Sequence, residues 1–134
     1  MKIEDVEGIG PSYAEKLTGI GINTTDDLLM ACGSASGREK IAGLTGITEK
    51  LLLEWVNHAD LMRLNGVGAE YADLLEAAGV DSCAELARRN AANLATTFQE
   101  LDAARPNTVR RVPSEATIQG WIDEAKGLDK VVTH

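Results

Sequence analysis

Two glycines bracketing one apolar residue occur twice in this chain, 58 residues apart, and each pair opens a segment of the same pattern. Gly8-Ile9-Gly10-Pro11-Ser12-Tyr13-Ala14-Glu15-Lys16-Leu17 is answered by Gly66-Val67-Gly68-Ala69-Glu70-Tyr71-Ala72-Asp73-Leu74-Leu75. The match continues without a gap, Gly21-Ile22 facing Gly79-Val80 and Leu28 facing Leu86. Upstream, Ile3 and Val6 correspond to Leu61 and Leu64, a helical spacing of apolar residues. A second register, offset by 66, pairs Thr48-Glu49, Leu52, Trp55-Val56, Ala59 and Met62 with Ser114-Glu115, Ile118, Trp121-Ile122, Ala125 and Leu128. Self-similarity of this kind marks one supersecondary unit built twice. The step from 58 to 66 places eight extra residues between Ala91 and Pro113. The chain therefore reads as two degenerate copies, about 1–60 and 61–130, with a tail over 131–134.

Local signals predict helices throughout. A short helix ends near Gly8, and a second starts at Pro11, whose fixed φ and missing N–H suit a first helical position. It stops near Gly19-Ile20-Gly21. Thr24 with Asp27, and Ser82 with Glu85, are capping boxes for the next helix of each copy. Ser36 with Glu39 predicts a helix through Ala42, and Thr48 predicts a long one through Met62. Asn90 caps a helix that Pro106 must end, and Asn107 to Pro113 reads as an extended connector.

Composition agrees with that reading. Of 134 residues 44% are hydrophobic and only 4% aromatic, so the core is aliphatic and the expected fold is all-α. It is expected to be one compact helical domain of tandem repeats sharing a core and unfolding together. No apolar run suits a membrane span or a signal peptide. Cys32 and Cys83 lie far apart without metal-ligand company, which fits a reducing, cytoplasmic setting and predicts core fillers. The net charge of −8 works against nucleic acid and anionic membranes as partners.

The glycine-pair segment, flanked by helices, resembles the helix-hairpin-helix motif. Its glycines let the chain reverse tightly, and Ile9 or Val67 plugs the gap between helices. Ala14 and Ala72 allow close packing, and the second helix starts with unpaired N–H groups that suit phosphate. A dinucleotide fingerprint shares Gly-x-Gly but requires a buried strand before it and a third glycine. Met1 to Glu7 is too short and polar for that strand, and both copies lack the third glycine.

Over nearly its whole length the chain is also similar to a domain-of-unknown-function family of small uncharacterised proteins with two helix-hairpin-helix repeats. Gly46-Ile47-Thr48-Glu49-Lys50, Leu52 to Asn57, Ala59 to Arg63, Gly66 to Leu75, Glu85 to Leu94, Arg110 to Ser114 and Trp121-Ile122 carry that likeness. The family brings no agreed activity. Helix-hairpin-helix proteins in general imply contact with DNA or RNA backbone without sequence reading, often beside an alkali cation and a basic side chain. Others use the hairpins only for packing or for protein partners.

Candidate residues follow from these readings. For nucleic-acid binding they are Gly8, Ile9, Gly10, Ser12 and Lys16 of the first hairpin, with Arg88, Arg89, Arg110 and Arg111. Gly66, Val67 and Gly68 are expected to be structural, because Glu70, Asp73 and Glu76 follow them, and Glu70 is expected to serve its own helix start. Residues 1–60 carry 5 basic and 10 acidic side chains, whereas between Arg88 and Arg111 five arginines face only Glu100 and Asp102. That run is the one local patch suited to phosphate or to an acidic partner, although arginines also cross-link helices within a molecule. Trp55 and Trp121 are expected to anchor the core of each copy. His58 and His134 have no metal-ligating or nucleophilic company, so neither a catalytic constellation, a metal site nor a cofactor is expected. Two functions stay open: a non-enzymatic module on DNA or RNA backbone, and a protein-interaction adaptor with the hairpins as scaffold.

Overall fold

Capping and apolar spacing convert into helices almost everywhere along the chain. The structure, a computed structural model, describes residues 1–106 and 109–134. Among the described residues there are eight α-helices, one 3-10 turn and no strand, so the fold is all-α. The one extended pairing is an isolated bridge between Lys2 and Thr24. No helix among these residues is long and apolar enough to cross a membrane. The chain divides into two compact units, Met1–Asp60 with Lys130–His134, and Leu61–Asp129.

The first unit holds the 3-10 turn Ile3–Asp5, α1 (Pro11–Thr18), α2 (Thr25–Cys32), α3 (Ala35–Thr45) and all but the last residue of α4 (Glu49–Leu61). The helix expected before Gly8 is only this 3-10 turn. The chain at its start is engaged elsewhere: Thr25 N–H donates to the Met1 carbonyl, and the first residue of the turn, Ile3, donates its N–H to that of Asn23. Thr24 caps α2 as expected, its hydroxyl accepting from Asp27 N–H while the Asp27 carboxylate accepts from Asn23 and Thr24 N–H. Those bonds, led by that from Asn23, hold the Asp27 carboxyl below its ordinary range. α3 starts earlier than expected, because Ser34, not Ser36, accepts from Gly37 N–H. It also runs past Gly43 to Gly46, where φ of +76° permits the left-handed stop. Ile3, Leu17, Leu28, Leu52 and Val56 are buried within this unit.

The second unit holds α5 (Ala69–Ala77), α6 (Cys83–Leu86), α7 (Ala91–Ala104) and α8 (Glu115–Lys126). Ser82, Asn90 and Ser114 each cap a helix by accepting from the backbone N–H three residues on. α8 packs on α6 and α7, with Ile118 and Ile122 buried, as are Leu86 and Phe98. Of the expected connector over Asn107–Pro113, Asn107 and Thr108 lie outside the described residues. Val109 and Pro113 are buried and Arg110 and Arg111 exposed.

Candidate functional site

The first glycine turn is built on Gly8 at φ +92°, a left-handed conformation that favours glycine. Ile9 N–H donates to the Val6 carbonyl at 3.1 Å, which turns the Ile9 side chain into the core. Gly10 is extended and precedes α1, whose Pro11 occupies the first turn. No described side chain caps α1, and its first turn carries no acidic residue. Gly10, Ser12 and Lys16 are exposed, and a Cβ on Gly10 would meet nothing within 4 Å. The ammonium of Lys16 lies 6.0 Å from the Tyr13 ring centre. Tyr13 in turn meets Trp55 edge-on, with centroids 5.0 Å apart. An open cleft of about 540 Å³ next to this turn is lined by Ser12, Glu15, Lys16, Gly19, Ile20, Leu44 and Thr45.

At the second turn Gly66 has φ of +84°, and Val67 N–H donates to the Leu64 carbonyl at 3.2 Å. Gly68 precedes α5, again without a side-chain cap among the described residues. Tyr71 and Trp121 pair with centroids 5.4 Å apart. Glu70 does not serve its own helix start as expected. Its carboxylate accepts from Arg110 N–H, and the Tyr71 hydroxyl donates to the Arg111 carbonyl at 2.8 Å. The connector thus crosses the start of α5 and brings Arg110 and Arg111 there. A cleft of about 310 Å³ lined by Tyr71, Arg111, Val112, Pro113, Ser114 and Thr117 adjoins it.

The arginines that cluster in sequence do not gather at one place in this unit. Arg89 pairs with Glu85 at 3.0 Å and donates to the Gly79 carbonyl at 3.0 Å, beyond the C-terminal end of α5. Arg110 and Arg111 lie at its N-terminal end, a helix length of about 13 Å away. Arg88 is exposed. Arg105 joins Asp73, Glu76 and Asp102 around a cavity of about 530 Å³ floored by Leu74, Ala77, Leu101 and Val109. Sequence reasoning missed that cavity. Its signal was the three-residue spacing of Asp73 and Glu76 on α5, and of Asp102 in the last turn of α7 and Arg105 just after it. Gly8 to Lys16 belong to the first unit and the four candidate arginines to the second.

Sequence reasoning also passed over Arg38, which is 5% exposed. Its guanidinium donates to the Cys32 and Gly33 carbonyls at 3.0 and 2.9 Å, at the end of α2, and to the Thr133 carbonyl at 2.6 Å. Neither cysteine is in a disulfide and both are buried, and burial pushes the Cys32 thiol up to about 11 against a smaller opposing effect of Arg38. The segment read as a tail is fastened here: Thr133 N–H donates to the Gly33 carbonyl at 2.8 Å, and Val132 is buried.

Comparison with known proteins adds one finding. No curated protein and no solved structure matches the chain. Residues 7–128 match the family described as Domain of unknown function (DUF4332). With both glycine turns, all eight helices and both Tyr–Trp pairs inside that span, the chain belongs to the DUF4332 family.

Proposed function

We propose that this protein is a non-enzymatic binding module that holds nucleic-acid backbone without reading sequence, and that its two glycine turns work as helix-hairpin-helix units. The observation that carries this reading is the start of α1. Its first-turn amides have no side-chain cap, no neighbouring carboxylate in that turn, and an exposed glycine before them. Orphan amides at a positive helix end favour a phosphate oxygen. Lys16 supplies a cation one turn on, and Ser12 a hydroxyl. Arg88, Arg110 and Arg111 are exposed and serve as further phosphate contacts, while Arg89 is engaged with Glu85 and Gly79. Two cysteines outside any disulfide accord with a cytoplasmic setting.

The test is fluorescence anisotropy with labelled single- and double-stranded DNA and RNA, at about 50 and then about 200 mM salt. Binding that falls steeply with salt and is weakened by Gly10→Asp and by Arg110→Glu is the expected result. Flat curves with every oligonucleotide overturn the reading. A protein-interaction adaptor is the second reading, favoured by exposed Met30 at 86% and Leu44 at 61% in the first unit. It predicts flat curves together with a partner protein that wild type retains and Leu44→Glu releases.

A further inference from the structure

Arg38 is enclosed, yet only uncharged groups accept its hydrogen bonds: the carbonyls of Cys32, Gly33 and Thr133. Among the described residues no carboxylate pairs with it. A guanidinium is matched best by a carboxylate, which accepts two parallel N–H bonds and supplies the opposite charge. Cys32 and Gly33 are the end of α2 and its cap, fixed parts of the first unit. The third carbonyl comes with the segment Lys130–His134, which belongs to that unit although the whole second unit precedes it in sequence. The segment lies in a seat shaped for a main chain. Thr133 N–H donates to the Gly33 carbonyl at 2.8 Å, Val132 is buried, and a Cβ on Gly33 would stand 2.7 Å from the Val131 carbonyl. Thr133 and His134 are exposed, so the hold depends on one valine and on main-chain bonds.

We infer that the seat formed by Cys32, Gly33 and Arg38 is a docking site for the carboxyl terminus of a partner protein, with residues 131–133 as its resident and displaceable occupant. The partner's last residue takes the place of Thr133. Its N–H donates to the Gly33 carbonyl, its α-carboxylate accepts from Arg38, and an apolar residue before it fills the place of Val132. The occupant is a chain end and not an acidic side chain, because Arg38 meets the segment at a main-chain carbonyl. There a terminal carboxylate adds its second oxygen without moving the backbone. The resident segment offers only a carbonyl at that point, since His134 follows Thr133. It keeps its place through its tether, which raises its effective concentration. The site is separate from the start of α1 and does not depend on phosphate binding there.

The experiment is fluorescence anisotropy with a labelled peptide copying residues 130–133, made once with a free α-carboxylate and once as the amide. Each form is titrated into wild type and into Thr133→Pro, which lacks the N–H that holds the resident segment to Gly33. The carboxylate peptide is expected to bind Thr133→Pro about tenfold more tightly than wild type, and about tenfold more tightly than the amide does. A second measurement needs neither peptide nor a weakened chain. Deleting His134 gives the protein's own segment a terminal carboxylate at Thr133, and the urea midpoint is expected to rise. Equal binding of carboxylate and amide overturns recognition of a chain end. A Thr133→Pro chain with wild-type circular dichroism that binds neither peptide overturns the site itself. Should Thr133→Pro fail to fold, the chain lacking His134 decides, and an unchanged or lower urea midpoint overturns the inference.

Discussion

Arg38 and Thr133 are joined across 95 positions of sequence by a guanidinium-to-carbonyl hydrogen bond of 2.6 Å. The same guanidinium holds the carbonyls of Cys32 and Gly33, so one side chain ties the end of α2 to the end of the chain. Among the described residues no carboxylate pairs with Arg38; the partial negative charge at the end of α2 and the three carbonyls offset its desolvation. Gly33 allows the close approach, since a Cβ there would stand 2.7 Å from the Val131 carbonyl. Arg38→Met is expected to lower unfolding free energy in urea by about 3 kcal/mol, because three buried acceptors lose a charged donor. Arg38→Lys is expected to fall between, reaching fewer acceptors from a single nitrogen. Equal midpoints for wild type and Arg38→Met would show that the clasp contributes nothing.

The buried thiol next to that clasp gives a pH signature. Cys32 titrates at about 11 in the folded chain against 9.0 when exposed, chiefly because burial disfavours the thiolate. Between those values the unfolded chain has released the proton and the folded chain retains it. Stability attributable to Cys32 is therefore complete below pH 9 and lost as pH rises towards 11. The separation corresponds to about 2–3 kcal/mol. Urea unfolding of wild type and Cys32→Ala across this range checks it: the difference between them should shrink as pH rises, whereas a constant difference would exclude the linkage.

Tyr71 tethers the connector to α5 through its bond to the Arg111 carbonyl, alongside the bond between Glu70 and Arg110 N–H. Removing the hydroxyl in Tyr71→Phe costs about 0.5–1 kcal/mol at this exposed site and keeps the ring on Trp121. Trypsin under native conditions should then cut faster after Arg110 and Arg111. Identical cleavage rates in wild type and variant would mean that the connector is held by other contacts.

Much of this was legible in sequence because it depends on neighbours. Thr24, Ser82, Asn90 and Ser114 cap helices within three residues of themselves, and Pro106 ends α7 by its own chemistry. Ile9 and Val67 are buried as their place between glycines implied. What escaped depends on distant partners. Ser36 was expected to start α3, but Ser34 is the cap, with Arg38 reaching back from that helix to the end of α2. The 3-10 turn replaced a helix because Met1 and Lys2 were drawn to Asn23–Thr25. The arginine run looked continuous, yet α5 lies between Arg89 and the pair Arg110–Arg111.

The two glycine turns also provide a matched comparison of backbone strain with and without crowding. Gly8 and Gly66 share a left-handed φ, +92° and +84°, so alanine at either is strained by about 1–2 kcal/mol. They differ in what the added methyl meets. At Gly8 it stands 3.1 Å from Trp55 Nε1, tighter than an ordinary contact, and the tryptophan beneath is enclosed by core residues that resist its withdrawal. At Gly66 the separation from Trp121 Nε1 is 3.8 Å, which is ordinary contact. Gly8→Ala is therefore expected to destabilise more than Gly66→Ala, while Gly10→Ala, with φ of −81° and open space, should change stability by about 0.5 kcal/mol or less. Thermal unfolding of the three variants gives the order directly. Equal losses at Gly8 and Gly66 would mean that φ alone sets the cost and that the Trp55 nitrogen yields freely to the methyl.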